Sequence, residues 1–413
     1  MLPLKENQLL PQSFNPSSRL WIAIILGSLA AFGPLSIDMY LPALPTLAKA
    51  LHASTSVSQL SLTACLIGLA LGQLIVGPIS DVRGRRLPLI IGVAVYAIVS
   101  LLCVYSPNVE VFIILRFIQG LAGAAGIVIS RASVRDLYSG VNLTKFFALL
   151  MLVNGSAPIL APIIGAEVLT FTSWRGVFGV LSILGVLMLI GVIFAMKETL
   201  PVERRSRGGI RNSLMTFRRL LGDSVFMGYA LIQGFIMAAM FSYISGSSFI
   251  LQELFGVSPQ MYSLIFGING AGIIVAGQVA GRQAGRVKDR SLLASGLVMS
   301  SAGGVLLLAS GMFHWGLYII IPALFLVVSS VGIIATTTSS LALQNQGQSA
   351  GTASALLGML SFVIGGGVAP LVGIGGTQTI MPLAIVMGVL VFAAVLCFKF
   401  SARQGDHLKK MKL

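Results

Sequence analysis

Long apolar runs alternate with short polar connections along most of this chain. At about 1.5 Å per residue, each run is long enough to cross a hydrocarbon core of roughly 30 Å as an α-helix. The pattern therefore predicts an all-α membrane protein with twelve transmembrane helices. The predicted spans are residues 21–45, 58–80, 88–106, 109–131, 145–170, 175–196, 225–250, 260–281, 291–311, 315–340, 350–373 and 379–399.

The basic residues give these spans an orientation. Most of the 27 Lys and Arg residues lie in the N-terminal tail, in every second connection and in the C-terminal tail. Because basic residues concentrate on the cytoplasmic side of membrane proteins, both termini are predicted to be cytoplasmic. Residues 1–18 lack the features of a cleavable signal peptide, so we expect the first span to be retained.

The composition excludes an ordinary soluble protein. The 413 residues are 56% hydrophobic and only 9% charged. The net charge of +15 follows the topology and forms no basic patch with aromatic residues, so no nucleic-acid partner is expected. Cys65, Cys103 and Cys397 lie in apolar runs without metal-ligand spacing, and no metal site is predicted.

A long polar stretch divides the spans into two sets of six. The sequence GQVAGRQAGR at 277–286 lies 200 residues after Gly77 and is a degenerate copy of the connection at 77–86, as expected for parallel repeats. The predicted organisation is a cytoplasmic N-terminal tail (1–20), an N-terminal six-helix bundle (21–196), a cytoplasmic linker (197–223), a C-terminal six-helix bundle (224–399) and a basic cytoplasmic tail (400–413).

The connection between the second and third spans carries a distinctive motif, GPISDVRGRR at residues 77–86. Its Gly-Pro and Arg-Gly-Arg steps predict a tight hydrophilic turn. The pattern is similar to the loop between the second and third helices of major facilitator superfamily transporters. That resemblance implies a conformational switch loop, with the residues Gly77, Asp81, Arg83, Gly84, Arg85 and Arg86.

We hypothesise a partner for Asp81 at the start of the eleventh span. The connection before that span, residues 344–349, is predicted to be cytoplasmic but carries no charge. A helix N-terminus offers unpaired N–H groups and stabilises a nearby carboxylate by roughly 0.3–1 kcal/mol. Asp81 would dock there when the cytoplasmic side is closed, with Gly77 permitting close approach. The alternative is that Asp81 only balances the neighbouring arginines.

A carboxylate lies inside the first predicted span. In a straight helix Asp38 would lie about 25 Å from Trp21, in the outer third of the bilayer. Acids inside membranes are rare and usually mark ion or proton paths, which makes Asp38 a candidate for proton coupling. It should face a water-filled cavity or carry a proton. The alternative is a structural acid that reaches the interface or an arginine.

The fourth span supplies a cation near the same depth. Arg116 begins the sequence RFIQG, which places Gln119 and Gly120 on its helix face. Because a guanidinium stays charged, Arg116 is a second candidate for proton coupling, as a regulator of Asp38 ionisation. The alternative is a structural partner for a helix carbonyl or for Glu110.

The fifth span contains two prolines four residues apart, in the sequence GSAPILAPIIGAE at 155–167. Pro158, Pro162 and Gly165 predict a bent helix with a face that allows close contact. The stretch resembles the antiporter motif of proton-driven drug exporters, although Ala161 and Ala166 replace two of its glycines. Glu167 is interpreted as interfacial.

Uncharged polar and aromatic residues predict the lining of a substrate cavity. Spans 1 and 4 should face this cavity, while spans 3, 6 and 12 should face lipid. An acid on one side and aromatics opposite suit bulky, partly apolar, neutral or cationic ligands. Any one of the aromatics could equally serve packing. The candidates are Tyr40, Gln119, Asn154, Tyr229, Gln233, Phe241 and Tyr243.

The sequence SIDMYLP at 36–42 resembles the bicyclomycin-resistance (Bcr/CflA) group of bacterial drug:proton antiporters. The resemblance covers the whole chain and implies a major facilitator fold of two pseudo-symmetric bundles that works by alternating access. It implies export of small-molecule drugs or metabolites, such as chloramphenicol- or bicyclomycin-like compounds, against inward flow of protons, with Asp38 carrying the proton. We expect a monomer in the lipid bilayer of a bacterial cytoplasmic (inner) membrane, powered by the proton gradient without a cofactor.

Two other functions stay open at this point. A proton-coupled importer of a metabolite would have the same fold, and sequence does not fix the direction of transport. A membrane enzyme or sensor is the second, but the chain contains no nucleophile–base set, HExxH motif or phosphate loop, and its three histidines lie in predicted loops.

Overall fold

The computed structural model describes residues 24–138, 140–205, 210–344, 350–376 and 378–410, and nearly all of this part of the chain is helical. In chain order the helices are α1 Ile24–Ala30, α2 Phe32–Asp38, α3 Leu44–Ala50, α4 Thr55–Arg83, α5 Arg86–Val104, α6 Val109–Leu137, α7 Gly140–Phe171, α8 Trp174–Ala195, α9 Ile210–Leu221, α10 Ser224–Phe249, α11 Pro259–Gln283, α12 Asp289–Phe313, α13 Leu317–Leu343, α14 Ala350–Val368 and α15 Met381–Lys410.

The helices agree with the predicted membrane crossings. Within the described residues, ten helices are long and apolar enough to span a membrane, and α1 together with Phe32–Ala50 forms an eleventh, bent span. The 32-residue α7, with an apolar part at Gly155–Phe171, occupies the place of the predicted fifth span. The all-α membrane fold is confirmed, and the arrangement is consistent with twelve crossings.

The first span is not the straight helix that the sequence predicted. A bend of 41° follows α1, α2 ends at Asp38, and a 3₁₀ turn at Leu41–Ala43 precedes α3. Pro42 and Pro45 are the second residues of the turn and of α3, where a backbone N–H group would have no partner within the helix. The two prolines therefore explain why the helix restarts twice after Asp38.

Several helix starts follow directly from the residue before them. The side chains of Ser54, Asn108, Asp223 and Ser258 accept hydrogen bonds from N–H groups in the first turns of α4, α6, α10 and α11. Such caps satisfy donors that the helix cannot, at a benefit of about 0.5–2 kcal/mol each. The short polar connections thus fix where these spans begin.

In the N-terminal half, which we define as residues 24–205, α4 and α6 pack almost backbone to backbone. A Cβ atom at Gly68 would collide with the Phe117 carbonyl oxygen, and one at Gly120 with the Cys65 carbonyl oxygen. Small residues are what allows membrane helices to approach this closely. The contact holds the part of α6 that carries Arg116 firmly against α4.

The outer helices of the fold expose apolar surface, as predicted for lipid contact. About a third of the apolar window of α8 and of α15 is buried (33% each), against 61% for α6. Large side chains such as Ile98, Phe194 and Phe392 project from α5, α8 and α15. This agrees with the expectation that spans 3, 6 and 12 face lipid.

The connections differ from the predicted organisation in two places. The predicted linker 197–223 contains the amphipathic helix α9, whose Phe217 and Leu220 pack against α10, α13 and α14. The helix α15 continues to Lys410, into the predicted tail 400–413. The predicted tail 1–20 lies outside the described residues, and the division into two six-helix bundles remains a proposal.

Candidate functional site

Asp38 lies at the C-terminal end of α2, at the break in the first span. Its side chain is only 4% exposed, and Oδ1 has no hydrogen-bond partner among the described residues. Tyr243 and Tyr262, from what we call the C-terminal half (residues 210–410), lie within electrostatic range of the carboxyl group. An ionised carboxylate in such a place costs roughly 3 kcal/mol or more, and binding a proton removes that cost.

Arg116 is fully buried in the N-terminal half. Its Nη2 donates to the Ser36 carbonyl oxygen at 2.7 Å, and Nη1 donates to Gln119 Oε1. The guanidinium carbon lies 4.4 Å from the centre of the Tyr40 ring and 5.5 Å from that of Phe178. A carbonyl, an amide and two aromatic faces thus stabilise the charge.

The same hydrogen bonds continue into a closed network across three spans. Gln119 Nε2 donates to Ser100 Oγ at 2.7 Å, and Ser100 donates to the Tyr96 carbonyl oxygen at 2.7 Å. The Tyr96 hydroxyl lies 2.8 Å from Ser36 Oγ, which returns the network to the residue that Arg116 binds. Arg116 therefore ties α2 to α5 and α6, two residues before Asp38.

The structure does not pair Asp38 with Arg116. The described ion pairs do not include them, although Cys65 lies within electrostatic range of both. What the structure places at Arg116 is a helix carbonyl, the structural alternative that the sequence left open. A direct regulatory contact between the two groups is therefore absent from the state described here, and the coupling role of Arg116 stays a prediction.

The proline-containing α7 packs against the break in the first span. A Cβ atom at Gly165 would collide with the carbonyl oxygen of Met39, the residue after Asp38. The Pro162 carbonyl oxygen accepts a hydrogen bond from Ser263 of the C-terminal half at 2.9 Å. Pro158 and Pro162 both lie inside the helix, as predicted. The motif helix thus contacts both the Met39 backbone, next to Asp38, and the opposite half.

Six described polar contacts join the two halves, all near the end of the fold opposite the 77–86 loop. Three of the donors lie in the first turns of α4, whereas the loop follows its last turn. This end is therefore closed. The contacts are Ser56 Oγ to Pro370 O (3.3 Å), Gln59 Nε2 to Ser245 O (3.2 Å), Thr63 Oγ1 to Gly366 O (2.8 Å), Ser248 Oγ to Leu41 O (2.5 Å), Ser263 Oγ to Pro162 O (2.9 Å) and Lys49 Nζ to Glu253 Oε1 (2.9 Å).

Arg85 is the centre of the 77–86 loop. Its side chain is nearly buried and donates to Asp81 Oδ1 at 2.5 Å, to Ser80 Oγ at 2.8 Å and to Asp136 Oδ2 at 2.9 Å. Asp136, at the end of α6, also accepts from Thr199. Arg85 therefore joins the ends of α4 and α6, a partnership that the sequence motif alone did not reveal.

Glu198 fixes the other side of this loop and was missed by sequence reasoning. Its carboxylate accepts the N–H groups of Arg85 (2.8 Å), Arg86 (3.2 Å) and Leu200 (3.0 Å). Burial alone would raise the pKa of Glu198, but these N–H groups and the charge of Arg205 hold the pKa below its usual value. Glu198 thus caps the start of α5 as an anion.

The two glycines of the loop differ in how strictly the structure requires them. Gly84 has a φ of +91°, and a Cβ there would lie 2.5 Å from Glu198 Oε2, so glycine is required. At Gly77 a Cβ would lie 3.8 Å from Val128, an ordinary contact in this state. Arg86 donates to the Ile193 carbonyl oxygen, and Arg83 is exposed.

The proposed docking of Asp81 on the eleventh span is not tested here. Residues 345–349, which precede α14, lie outside the described part of the chain. In the state described, the Asp81 side chain is half exposed and its ion-pair partner is Arg85. The hypothesis therefore remains a prediction for the state in which this end closes.

The predicted cavity residues fall into two groups. Tyr40 and Gln119 are fully buried in the N-terminal half, around Arg116. Gln233 accepts from Thr338 (3.1 Å) and Ser339 (3.2 Å), which joins α10 to α13.

The remaining aromatics lie on α10. Phe241 packs on Phe362 with 5.7 Å between ring centres, Tyr243 accepts a hydrogen bond from Asn269, and Tyr229 is partly buried. Asn154 lies in α7, and its side chain is outside the description. A substrate-lining role for any of these residues stays a prediction.

No group of three or more His, Cys, Asp or Glu residues in the described part of the chain lies close enough together to hold a metal ion.

Known proteins resemble this chain along nearly its whole length. The family model described as Major Facilitator Superfamily matches residues 21–370. An MFS-type transporter of Bacillus subtilis, YdgK, is 45% identical over 93% of this chain and 96% of its own length. A protein named bicyclomycin resistance protein homolog, from Haemophilus influenzae, is 30% identical over 91% of this chain and 95% of its own.

A solved structure shares the fold. It is a bacterial homologue of the human lysosomal transporter Spinster in an inward-facing, unoccupied conformation, with a TM-score of 0.74 over 94% of this chain and 97% of that one, at 14% identity. The series of membrane-spanning helices, the family match and the relatives lead to one assignment. The chain belongs to the major facilitator superfamily and is a membrane transporter, not an enzyme.

Proposed function

We propose that the chain exports small drugs or metabolites in exchange for protons, with Asp38 as the proton-carrying group. The observation that carries this proposal is the buried Asp38 carboxyl at the point where the two halves meet, because its Oδ1 has no hydrogen-bond partner among the described residues. A relative named for bicyclomycin resistance supports a drug as cargo.

The exchange follows from competition for one site. A proton makes the buried carboxyl neutral and allows the halves to close over it, whereas a cationic or hydrogen-bonding cargo would stabilise the ionised form. Proton and cargo then occupy the site in turn. Alternating access exposes the site to one side of the membrane and then to the other. Because proton and cargo cannot occupy the site together, each proton carried inward is exchanged for cargo carried outward.

We further propose a bacterial cytoplasmic membrane location with both termini in the cytoplasm, and a monomer that uses the proton gradient without a cofactor. The distribution of basic residues supports this orientation. The closed end of the structure is then the outer one, and the state described faces inward.

Transport in inverted membrane vesicles tests the proposal. Asp38→Asn removes the titratable group and keeps its size, so we expect loss of proton-driven accumulation of chloramphenicol- and bicyclomycin-like compounds. Glu203→Gln is the matched control, because Glu203 is an exposed carboxylate of the linker. Both the drug and the pH-sensitive dye signal are measured.

Two results would contradict the proposal. If Asp38→Asn vesicles still accumulate drug when the gradient is applied, Asp38 does not carry the proton. If added substrate and protons move in the same direction in the wild type, the chain is a symporter and the alternative of metabolite uptake applies.

A further inference from the structure

An apolar groove lies between α11 and α13. Its volume is about 260 Å³, slightly below the roughly 300–1,000 Å³ of pockets that hold drug-sized molecules. It can therefore take a fragment or one end of a larger molecule. The lining residues are Ile265, Ile268, Asn269, Ile321, Pro322 and Phe325.

The groove opens toward the surface that lipid covers. Met261, Leu264, Ile268 and Val275 of α11 are exposed by 51%, 52%, 52% and 62%, at the spacing of one helix face. Asn269 lies ten residues into α11, which corresponds to a depth of roughly 15 Å, near the middle of a ~30 Å hydrocarbon core. A molecule in this groove would therefore come from the bilayer.

Asn269 is the polar member of this lining, and its hydrogen bonding is incomplete. Its side chain is 1% exposed, Nδ2 donates to the Tyr243 hydroxyl at 2.8 Å, and Oδ1 has no partner in the part of the chain that the structure describes. Leaving a buried acceptor unpaired costs about 1–3 kcal/mol. Because Asn269 lines the groove, a donor carried by a bound ligand would satisfy this atom.

A second buried polar atom lies one turn further along the same pair of helices. Gly272 allows the Phe325 ring and Ser329 Oγ to lie directly against α11, since a Cβ there would collide with both. Ser329 Oγ is buried and also has no hydrogen-bond partner among the described residues. Close packing of α11 and α13 beside the groove thus leaves a second polar atom unsatisfied.

We propose that this groove binds a lipophilic molecule dissolved in the bilayer that carries a hydroxyl or N–H group, which donates to Asn269 Oδ1. A lipid acyl chain would fill the apolar walls but has no donor. Phospholipid head groups carry donors, but they lie at the interface, about 15 Å from this depth. The complementary occupant is an uncharged, mostly apolar molecule with one donor.

Tyr243 links the groove to the Asp38 region. Asn269 binds Tyr243, and Tyr243 lies within electrostatic range of Asp38. A ligand at Asn269 would therefore be sensed at the centre of the protein. The binding itself does not depend on the direction of transport, so it can succeed or fail independently of the proposed antiport.

Photolabelling of the full-length protein in lipid nanodiscs tests this site. The probes are a long-chain aliphatic alcohol that carries a diazirine and the methyl ether of the same alcohol, and labelled peptides are measured by mass spectrometry. We expect the alcohol to label the segments around Ile265–Asn269 and Ile321–Phe325 about 2- to 10-fold more than the ether, the worth of one net hydrogen bond.

Three variants separate the contributions. Asn269→Leu should reduce alcohol labelling to the level of the ether, and Ile268→Trp should fill the groove and reduce labelling by both probes. Val275→Trp, at an exposed position further along α11, is the matched control and should label as the wild type does. Equal labelling by alcohol and ether in the wild type, or unchanged labelling in Ile268→Trp, would overturn the proposal. Because Ile268 is exposed, Ile268→Trp is expected to fold and tests the groove even if Asn269→Leu does not fold.

Discussion

At the scale of single residues, Arg116 and Asp38 differ in their hydrogen bonding and in their roles at the first span. Both terminal nitrogens of Arg116 donate hydrogen bonds within the N-terminal half, whereas Asp38 Oδ1 is buried and has no partner among the described residues. Because Arg116 binds the Ser36 carbonyl, it fixes the backbone two residues before Asp38. The arginine positions the acid without touching it.

We expect Arg116→Lys to lower stability by about 1–3 kcal/mol. A lysine keeps the charge but cannot reach Ser36 and Gln119 together, so one charge-assisted hydrogen bond is lost. The free energy of unfolding in mixed detergent micelles measures the effect. Arg83→Lys is the control, since Arg83 is exposed. Equal stability of Arg116→Lys and the wild type would show that the network does not hold the span.

Sequence reasoning found the charged members of this site but not their partners. A charge inside an apolar run is visible in one dimension, and so Asp38 and Arg116 were identified. Ser36, Tyr96 and Ser100 are common residues of membrane helices, and only the packing of α2, α5 and α6 brings them together. Glu198 was missed for the same reason, because its N–H donors come from a connection 112 and 113 residues away.

At the scale of helices, close packing positions the acid. α7 touches the first span where Gly165 meets the Met39 carbonyl, and the break itself follows from Pro42 and Pro45. The sequence predicted the small residue and its close contact. It predicted a continuous first helix, because the apolar pattern does not report a break inside a buried segment.

We expect Gly165→Ala to push α7 away from the first span and to reduce stability by about 1–3 kcal/mol, the usual effect of overpacking. Proton-coupled transport should fall as well, since the backbone beside Asp38 moves. Gly179→Ala is the control, because no atom lies within 4 Å of a Cβ at that position.

A comparison of thermal stability and vesicle transport for the two variants decides the matter. The control should equal or slightly exceed the wild type, as alanine favours a helix over glycine. If Gly165→Ala behaves like Gly179→Ala, the contact between α7 and Met39 is not a constraint.

At the scale of the whole molecule, the polar contacts at one end hold the two halves together. They join α4, the end of the first span and α7 to the C-terminal half, while the 77–86 loop at the other end is tied within its own half by Arg85 and Glu198. The all-α membrane fold was readable from hydropathy. Hydropathy does not show which end of the fold is closed, because a protein of one sequence can close at either end.

We expect Thr63→Val to shift the protein toward the state in which this end opens. Valine keeps the shape of threonine but cannot donate to the Gly366 carbonyl, so about one net hydrogen bond is lost and the population shifts roughly 2- to 10-fold. Distances between spin labels at the exposed Ala50 and Gln260 measure the shift. Ser58→Ala is the control, because the buried Ser58 hydroxyl has no partner in the described structure. A distance distribution that is identical in Thr63→Val and the wild type would refute the expectation.

The chemistry of the closed end has a consequence for how such a gate changes over evolution. Five of its six contacts end on main-chain carbonyl oxygens, which every amino acid supplies. A substitution at an acceptor residue leaves its main-chain carbonyl in place, so closure of this end depends on the few side chains that donate. The acceptor side chains could therefore change during evolution, to suit a new cargo, while this end still closes.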